Sequence, residues 1–540
     1  MSKRATLIAS IAGVALLVIG LLYPIVRFKY SHLLFDDALM FARYARNMHS
    51  GYGPAWNPAG PATYGCTSIA FMLLTWFAFF FSQEDATVVV TLSVAGGFAL
   101  FIGLGLFARW TGVREKAQVG PVLAILLLAC LAYPSNLARV TWNGMDTGLA
   151  ALAAALWLWA LMKVEERGKG APFVGIAGAL LFWVRPELLM FSAGVPILTF
   201  LMDRSKPKWF VEYVGAFAVT LAIVMAVNQR WLGSALPLPF YGKVVKNYEE
   251  FNVARYQPIG YRLAAHYLWT SAGLLLLILA GLRSWKAWPA SVRSGLIVSI
   301  GFFAFVTFGV TQIMGSVGRL YWPTMPFLFA AAAYATIELL KSRSRVPQVI
   351  GVCCVALGSL MMVRQLAPMI RSGKVQVADL TTEASFDYHR KRWPGLMAIG
   401  AIPDKLLIAA TEVGHPGSLC KTCDVMDLAG LNHREIAFQP AKALELMETQ
   451  KPDVIYFPPP DYVGLNRKLI ESAWLQQDYI VYNPPDLRLP LPVALRKDGP
   501  HFAEIKRAVE DDLTIKRKAG STFMRERSLY RADIPNSAAF

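Results

Sequence analysis

Cysteine and charge are both in short supply in this chain. Six cysteines in 540 residues are too few to frame a fold with disulfides. Four of them (Cys66, Cys130, Cys353, Cys354) lie in or beside apolar runs, where a thiol behaves as a small hydrophobe. Charged residues make up 16% of the chain and hydrophobic ones 55%, which excludes a disordered chain and an ordinary soluble enzyme. Acidic residues are the scarcer sign: 36 Asp and Glu face 53 Lys and Arg, a net charge of +17. Such a balance usually raises nucleic acid. A nucleic-acid binder, however, presents its basic patch on a water-soluble surface, whereas long apolar runs fill the first two thirds here, so no nucleic-acid partner is expected. Residues 365–540 hold no P-loop, GxGxxG, HExxH or GxSxG, so a catalytic role for that tail is not indicated.

The charge excess sits in the apolar part: residues 1–364 hold 30 basic against 14 acidic residues, and residues 365–540 hold 23 against 22. Apolar runs near the roughly 20 residues needed to cross a bilayer recur with basic punctuation. They fall at about 5–26, 87–108, 118–134, 146–162, 171–184, 188–202, 210–229, 265–282, 294–312, 321–340 and 346–363. The first could be a signal peptide, but it is too long for an h-region and no small-residue cleavage site follows, so it reads as an uncleaved span. The stretch 66–82 decides the topology. If it lies along the outer interface, five short loops with three basic residues each join Lys3 and Arg4 on one side, as the positive-inside rule requires. The fold expected is an α-helical polytopic membrane protein of about eleven transmembrane helices over residues 1–364, with an outer loop at 27–86. A soluble α/β domain follows at 365–540. The N-terminus is expected inside, and the C-terminal domain outside, the plasma membrane. Arg185, Pro186 and Glu187 between two short runs point to two helices meeting at an outer cavity, because a single long helix would bury Arg at mid-membrane at about 2.5 to 3.5 kcal/mol.

With this topology, polar residues gather on the outer face from five loops, as an active site built between helices would require. Asp36 and Asp37 follow the first span in a helical pattern. Adjacent carboxylates point about 100° apart on a helix, so one can face a cavity while the other takes a cation or a cap. A plain acidic pair satisfying a helix dipole is the alternative; Arg43 and Arg46 at helical spacing tilt the reading toward function. Arg185 with Glu187, Lys243 with Tyr241, and Arg319 with Tyr321 supply guanidinium and ammonium groups suited to an anionic lipid phosphate, with snorkelling to the interface as the competing account. Aromatics including Tyr64 and Tyr241 share that depth, as an interfacial belt or as sugar-stacking surfaces. Asp36, Asp37 and Glu187 could offer oxygen ligands to a divalent cation (magnesium, manganese or calcium), although their spacing establishes no site.

In the tail, strand-like runs (KLLIAATEVG, DVMDLAGL, PDVIYF, DYIVYN) alternate with helical ones, an α/β pattern with a small sheet. His415, Asp427, Asn432 and His433 could form a sugar-binding surface, but turn and capping chemistry explains them better. Cys420 and Cys423 form a lone CxxC, weak evidence for zinc and as consistent with a disulfide as with two free thiols.

These residues resemble a family. FDDALMFARYARNMHSGYGPAWNPAG followed by YGCTS, then NGMD, WVRPELLM, LPLPFYGKV, RLYWPTMPFL and DLAGLNHREIA, is similar in order to the motifs of C-type membrane glycosyltransferases. The likeness is greatest to the bacterial branch holding the mycobacterial terminal arabinofuranosyltransferases. It departs at Leu238 and Pro239, where the branch has Asn and Thr, at Asp146 in place of Glu, and at His433 in place of Asp. The resemblance implies a polyprenyl-phosphate sugar donor, a pentofuranose such as arabinofuranose in preference to a hexose, and a cell-envelope glycan, lipid or protein acceptor. It implies Asp36, then Asp37, as the catalytic carboxylate, and Arg185, Lys243 and Arg319 as donor-phosphate ligands; Asp146, Glu187, Tyr241 and Tyr64 are then substrate-binding candidates. A transporter or flippase is the rival reading, but no internal repeat is found and the polar residues lie at one interface. A membrane scaffold would leave the ordered motifs unexplained.

Overall fold

The computed structural model describes residues 35–117, 126, 143–204, 207–243, 257–310, 316–341, 393–459, 462–482 and 492–519. The expected spans 5–26 and 346–363, and 118–134 apart from Leu126, lie outside the described residues.

Helix α1 (Asp36–His49) opens the described chain, and α2 (Ile69–Ala78) follows a loop. At ten residues α2 is too short to cross a bilayer; Ser68 caps it by accepting from the Phe71 amide. The bundle proper contains α3 (Asp85–Arg114), α4 (Thr147–Arg167), α5 (Ala171–Val184), α6 (Leu189–Met202) and α7 (Pro207–Leu232). After the short α8 (Leu238–Lys243) come α9 (Gln257–Thr270), α10 (Ala272–Gly281), α11 (Ala290–Gly309) and α12 (Met325–Lys341), the last entered through a 3-10 segment, Ser316–Thr324.

Among the described residues, five helices are long and apolar enough to cross a membrane: α3, α4, α7, α11, and α12 with its lead-in from Gly318. A sixth is reached if the pair Tyr261–Thr270 and Ala272–Ala287, bent by 68°, counts as one broken span. This describes an integral membrane protein. The eleven spans expected from the apolar runs are not all visible: 171–184 and 188–202 form short apolar helices, α5 and α6. Their separation has a local cause. Arg185 adopts extended angles (φ −160°, ψ 128°), the conformation a following proline enforces, and Pro186–Leu188 makes a single 3-10 turn before α6. The expected break at Arg185-Pro186-Glu187 is therefore present.

Helix α12 is central: every residue from Tyr321 to Ile337 is buried, in one apolar cluster with α4, α6, α10 and α11. Helix α7, by contrast, buries only Trp209, Tyr213, Val224, Asn228 and Leu232, as a lipid-facing helix would. Helices α3 and α4 cross closely because Gly148 has no side chain; a Cβ there would lie 2.8 Å from the Gly97 amide nitrogen, so small residues set the contact, as is usual between membrane helices.

The tail folds as helices around one five-stranded sheet: α13 (Leu396–Ala401), β1 (Leu407–Ala410), α14 (Gly414–Leu419), β2 (Asp424–Asp427), α15 (Arg434–Phe438), α16 (Lys442–Gln450), β3 (Val454–Tyr456), α17 (Val463–Glu471), α18 (Ala473–Asp478), β4 (Tyr479–Tyr482), β5 (Val493–Arg496) and α19 (Phe502–Ala519). The order is β2-β1-β3-β5-β4. Strands β2, β1 and β3 are parallel, with Ile408 opposite both Val425 and Val454, while β5 pairs antiparallel with β3 and β4. The four strand-like runs of the sequence are all strands; β5 is an addition, a short VALR run without a clear period. Helix α1 is sandwiched between bundle and sheet. Phe41, Tyr44 and Trp56 share a buried cluster with Trp393, Ile408, Val425 and Tyr456, so α1 with the loop after it and the tail have a common core.

Candidate active site

The site forms where α1 begins. Its two leading carboxylates diverge as their helical spacing predicts. Asp37 turns toward the bundle and makes an ion pair with Arg319 of the 3-10 segment, whose guanidinium also lies 5.5 Å from the Phe35 ring centre. Asp36 turns the other way. Its carboxylate accepts from the Gly414 amide at 2.9 Å and the His415 amide at 2.8 Å, at the start of α14. Gly414 is needed there, because a Cβ would collide with the Asp36 carbonyl oxygen.

These settings give the neighbours opposite acidities. Burial, then the negative charge of Glu412, pushes the Asp36 carboxyl up to about 7 against the pull of the two amide donors. Burial also works to raise Asp37, but the positive charges of Arg319, Lys243 and Arg185 outweigh it and hold Asp37 below the usual carboxylate range. One carboxylate is thus poised to exchange a proton near neutrality, and its neighbour is a fixed anion.

Around Asp37 the polar residues of three further loops assemble. Arg185 lies 2.8 Å from Glu187 and 3.6 Å from the buried Asp146, and among the described residues neither Asp146 oxygen has a hydrogen-bond partner. Lys243, at the end of α8, feels the charges of Asp37, Arg319, Arg185 and Glu187. Arg319 is paired with Asp37, and Arg185 with Glu187 and Asp146; among the described residues Lys243 has no carboxylate within ion-pair distance. A narrow cleft of about 20 Å³ carries Asp36, Asp37, Met40 and Lys243 on one wall.

Its opposite wall comes from the tail, where only the DLAGLNHREIA motif, which holds Ala429 and Leu431, gave a sequence indication. Thr411, Glu412 and Val413 follow β1, Ala429 and Leu431 follow β2, and Tyr462 follows β3. All three loops leave the carboxyl ends of the parallel strands, the edge at which open α/β sheets build ligand sites. The signal available was the polar loop after each strand-like run, TEVGH above all.

Of the other sequence candidates, Tyr241 does not line this cleft; its ring packs 4.6 Å from Phe438 of α15 and joins the bundle to the tail. Tyr64 is fully buried, and its carbonyl accepts from the Leu238 amide at 2.8 Å, which anchors α8. Asp36, Asp37 and Glu187 do not converge as metal ligands, and among the described residues no group of three His, Cys, Asp or Glu side chains does. Asp427 and Asn432 perform turn chemistry. The Asp427 carboxylate accepts from the Ala429 and Asn432 amides and the Asn432 side chain, while Asn432 accepts from the Tyr44 hydroxyl at 3.0 Å.

One residue without a sequence assignment holds the two walls together. Arg43, fully buried, donates to the carbonyls of Trp56, Gly417 and Cys423 at 2.7 Å each and to the Asn57 side chain at 3.1 Å. Cys420 and Cys423 are joined as a disulfide, which closes the loop that Arg43 grips.

A polytopic helical bundle thus carries a paired acidic and basic cleft beneath a small α/β cap. The chain is similar in structure to ArnT from Cupriavidus metallidurans bound to undecaprenyl phosphate: TM-score 0.54, 12% identity, with 92% of this chain and 100% of that one covered. It is also similar to the same protein in the apo state, at TM-score 0.51 and 12% identity, with coverage of 92% and 98%. No protein-family model and no curated protein sequence matches.

Proposed function

We propose that the chain moves a single sugar from a polyprenyl-phosphate donor to a cell-envelope glycan, lipid or protein acceptor on the outer face of a bacterial plasma membrane. The observation that carries this reading is the division of labour at the cleft: a carboxylate near neutrality, Asp36, beside a cluster of cations, in a fold shared with a protein that binds undecaprenyl phosphate. Asp36 takes the proton of the acceptor hydroxyl as its oxygen bonds to the anomeric carbon. The bond from that carbon to the donor phosphate breaks, and the polyprenyl phosphate departs with the electron pair. Lys243, whose ammonium has no ion-pair partner among the described residues, meets the phosphate first; Arg319 and Arg185 complete its surroundings, with Asp37, Asp146 and Glu187 fixing the two guanidiniums. The resemblance of the sequence motifs favours a pentofuranose such as arabinofuranose over a hexose.

The topology follows the basic loops: eleven spans, N-terminus cytoplasmic, residues 1–364 in the membrane with the 27–86 loop outside, and residues 365–540 in the periplasm. The Cys420–Cys423 disulfide supports the outer placement of the tail, because disulfides persist in oxidising compartments. Purified protein incubated with radiolabelled polyprenyl-phosphate sugars and envelope acceptors tests the reading. Transfer by the wild type and its loss in Asp36→Asn are expected; lipid movement across vesicles without any transfer would overturn it in favour of a flippase.

A further inference from the structure

A second, larger cleft of about 510 Å³ opens at the far end of α1, between the 50–59 loop and the tail. It belongs to none of the chemistry above. Arg46, His49, Lys405 and Lys421 line it and no carboxylate does. Two of the cations are already engaged: Arg46 pairs with Asp85, and Lys405 lies 2.9 Å from Asp424. Lys421 is exposed and has no ion-pair partner among the described residues. It stands inside the four-residue ring closed by the Cys420–Cys423 disulfide, which fixes the backbone that presents it. The His49 Nδ1 atom is buried and has no hydrogen-bond partner among the described residues, and the imidazole stands edge-on to the Phe80 ring at 4.9 Å.

The same edge carries an apolar knob. Phe77, Phe80 and Phe81 at the end of α2 are 58%, 60% and 79% exposed. Three exposed phenylalanines next to an interfacial helix are at home among acyl chains, while a cation-lined cleft without carboxylates selects an anion. One ligand satisfies both surfaces: an anionic headgroup carried on a lipid.

We propose that this cleft seats the phosphate of a membrane lipid headgroup, held by Lys421 and His49, with its acyl chains against Phe80 and Phe81. The site is separate from the transfer chemistry and does not depend on it. The test uses full-length protein in detergent and compares dioctanoyl phosphatidate, dioctanoylglycerol and inorganic phosphate by native mass spectrometry. Saturable binding of the phosphatidate is expected. Lys421→Ala and His49→Ala are each expected to weaken it about tenfold, the loss that follows removal of one hydrogen bond to a charged group, and Lys208→Ala on a remote exposed lysine leaves it unchanged. Equal binding of dioctanoylglycerol would remove the phosphate from the proposal, and equal affinity for inorganic phosphate would remove the lipid. Binding lost in Lys243→Ala but kept in both Lys421→Ala and His49→Ala would place the ligand in the first cleft and overturn the proposal, while leaving the transfer reading intact.

Discussion

Replacing Asp36 by Asn changes one atom and one charge at the centre of the proposed mechanism. The amide keeps the carboxylate's shape, so one of the two bonds from the Gly414 and His415 amides survives. The other becomes a donor facing a donor, a loss of about 1.5 to 3 kcal/mol for a charge-assisted bond. Removing the charge also relieves its burial and its repulsion from Glu412, so the variant remains folded. The catalytic loss is larger: without a proton acceptor, kcat/KM should fall about 10² to 10⁴-fold, or roughly 3 to 5.5 kcal/mol of transition-state stabilisation. Donor KM should change little, because the phosphate meets Lys243 and Arg319. The pH profile adds a second readout. A base must be ionised to act, so with Asp36 raised to about 7 wild-type kcat/KM should rise about tenfold per pH unit below 7 and level above it. Asp36→Asn should lose that limb. Both quantities come from initial rates of radiolabel transfer between pH 5.5 and 9. A variant within a few-fold of wild type that keeps the rising limb would refute the assignment of Asp36 as base.

Lys243→Ala should raise the KM for the polyprenyl-phosphate donor and lower kcat/KM about 10- to 200-fold, as expected for losing a charged contact of 1.5 to 3 kcal/mol; a donor titration checks it, and an unchanged KM contradicts the phosphate role. Gly414→Ala should impair transfer nearly as much as Asp36→Asn, because the new Cβ collides with the Asp36 backbone and displaces the amides that hold its carboxylate; the same titration series reads it. Arg43→Met leaves the buried carbonyls of Trp56, Gly417 and Cys423 without their donor and should destabilise the tail against the bundle by about 3 kcal/mol or more. Limited proteolysis of the tail and a lowered unfolding temperature in detergent would show it.

Much of the fold was legible because membrane burial writes itself into composition. Apolar runs and basic loops marked the bundle, and the Arg185-Pro186 break needed only the backbone rule for residues before proline. The tail's four strand-like runs carried the expected apolar pattern; β5 did not, since VALR is too short to show a period. The candidate site was half legible. Asp36, Asp37, Arg185, Lys243 and Arg319 are polar residues at an apolar boundary, and that contrast is visible in one dimension. Arg43 and Glu412 carry no such contrast. Arg43 lies in a polar stretch where a solvated arginine is the ordinary expectation, and its burial depends on carbonyls 374 and more positions away folding onto it. Tyr64 and Tyr241 share the depth of the site yet serve packing, because aromatic residues are required at this boundary whether or not a ligand binds.

The tail's part in the cleft changes how the site can work. Asp36 lies on α1, but its acidity is set by burial first and then by Glu412 and the amides of Gly414 and His415, nearly four hundred residues later in the chain. The basic wall is otherwise complete within the bundle, from Arg185, Lys243 and Arg319. On the proposed function, a lipid-borne phosphate is bound by the membrane part, while the readiness of Asp36 as base depends on the tail remaining seated. Any motion that lifts the 411–415 loop off α1 would expose Asp36 to water, lower its pKa toward that of an ordinary carboxylate and weaken it as a base near neutral pH. The Arg43 grip and the Cys420–Cys423 ring oppose that motion, which is why residues far from the reacting atoms should move the pH limb of the rate.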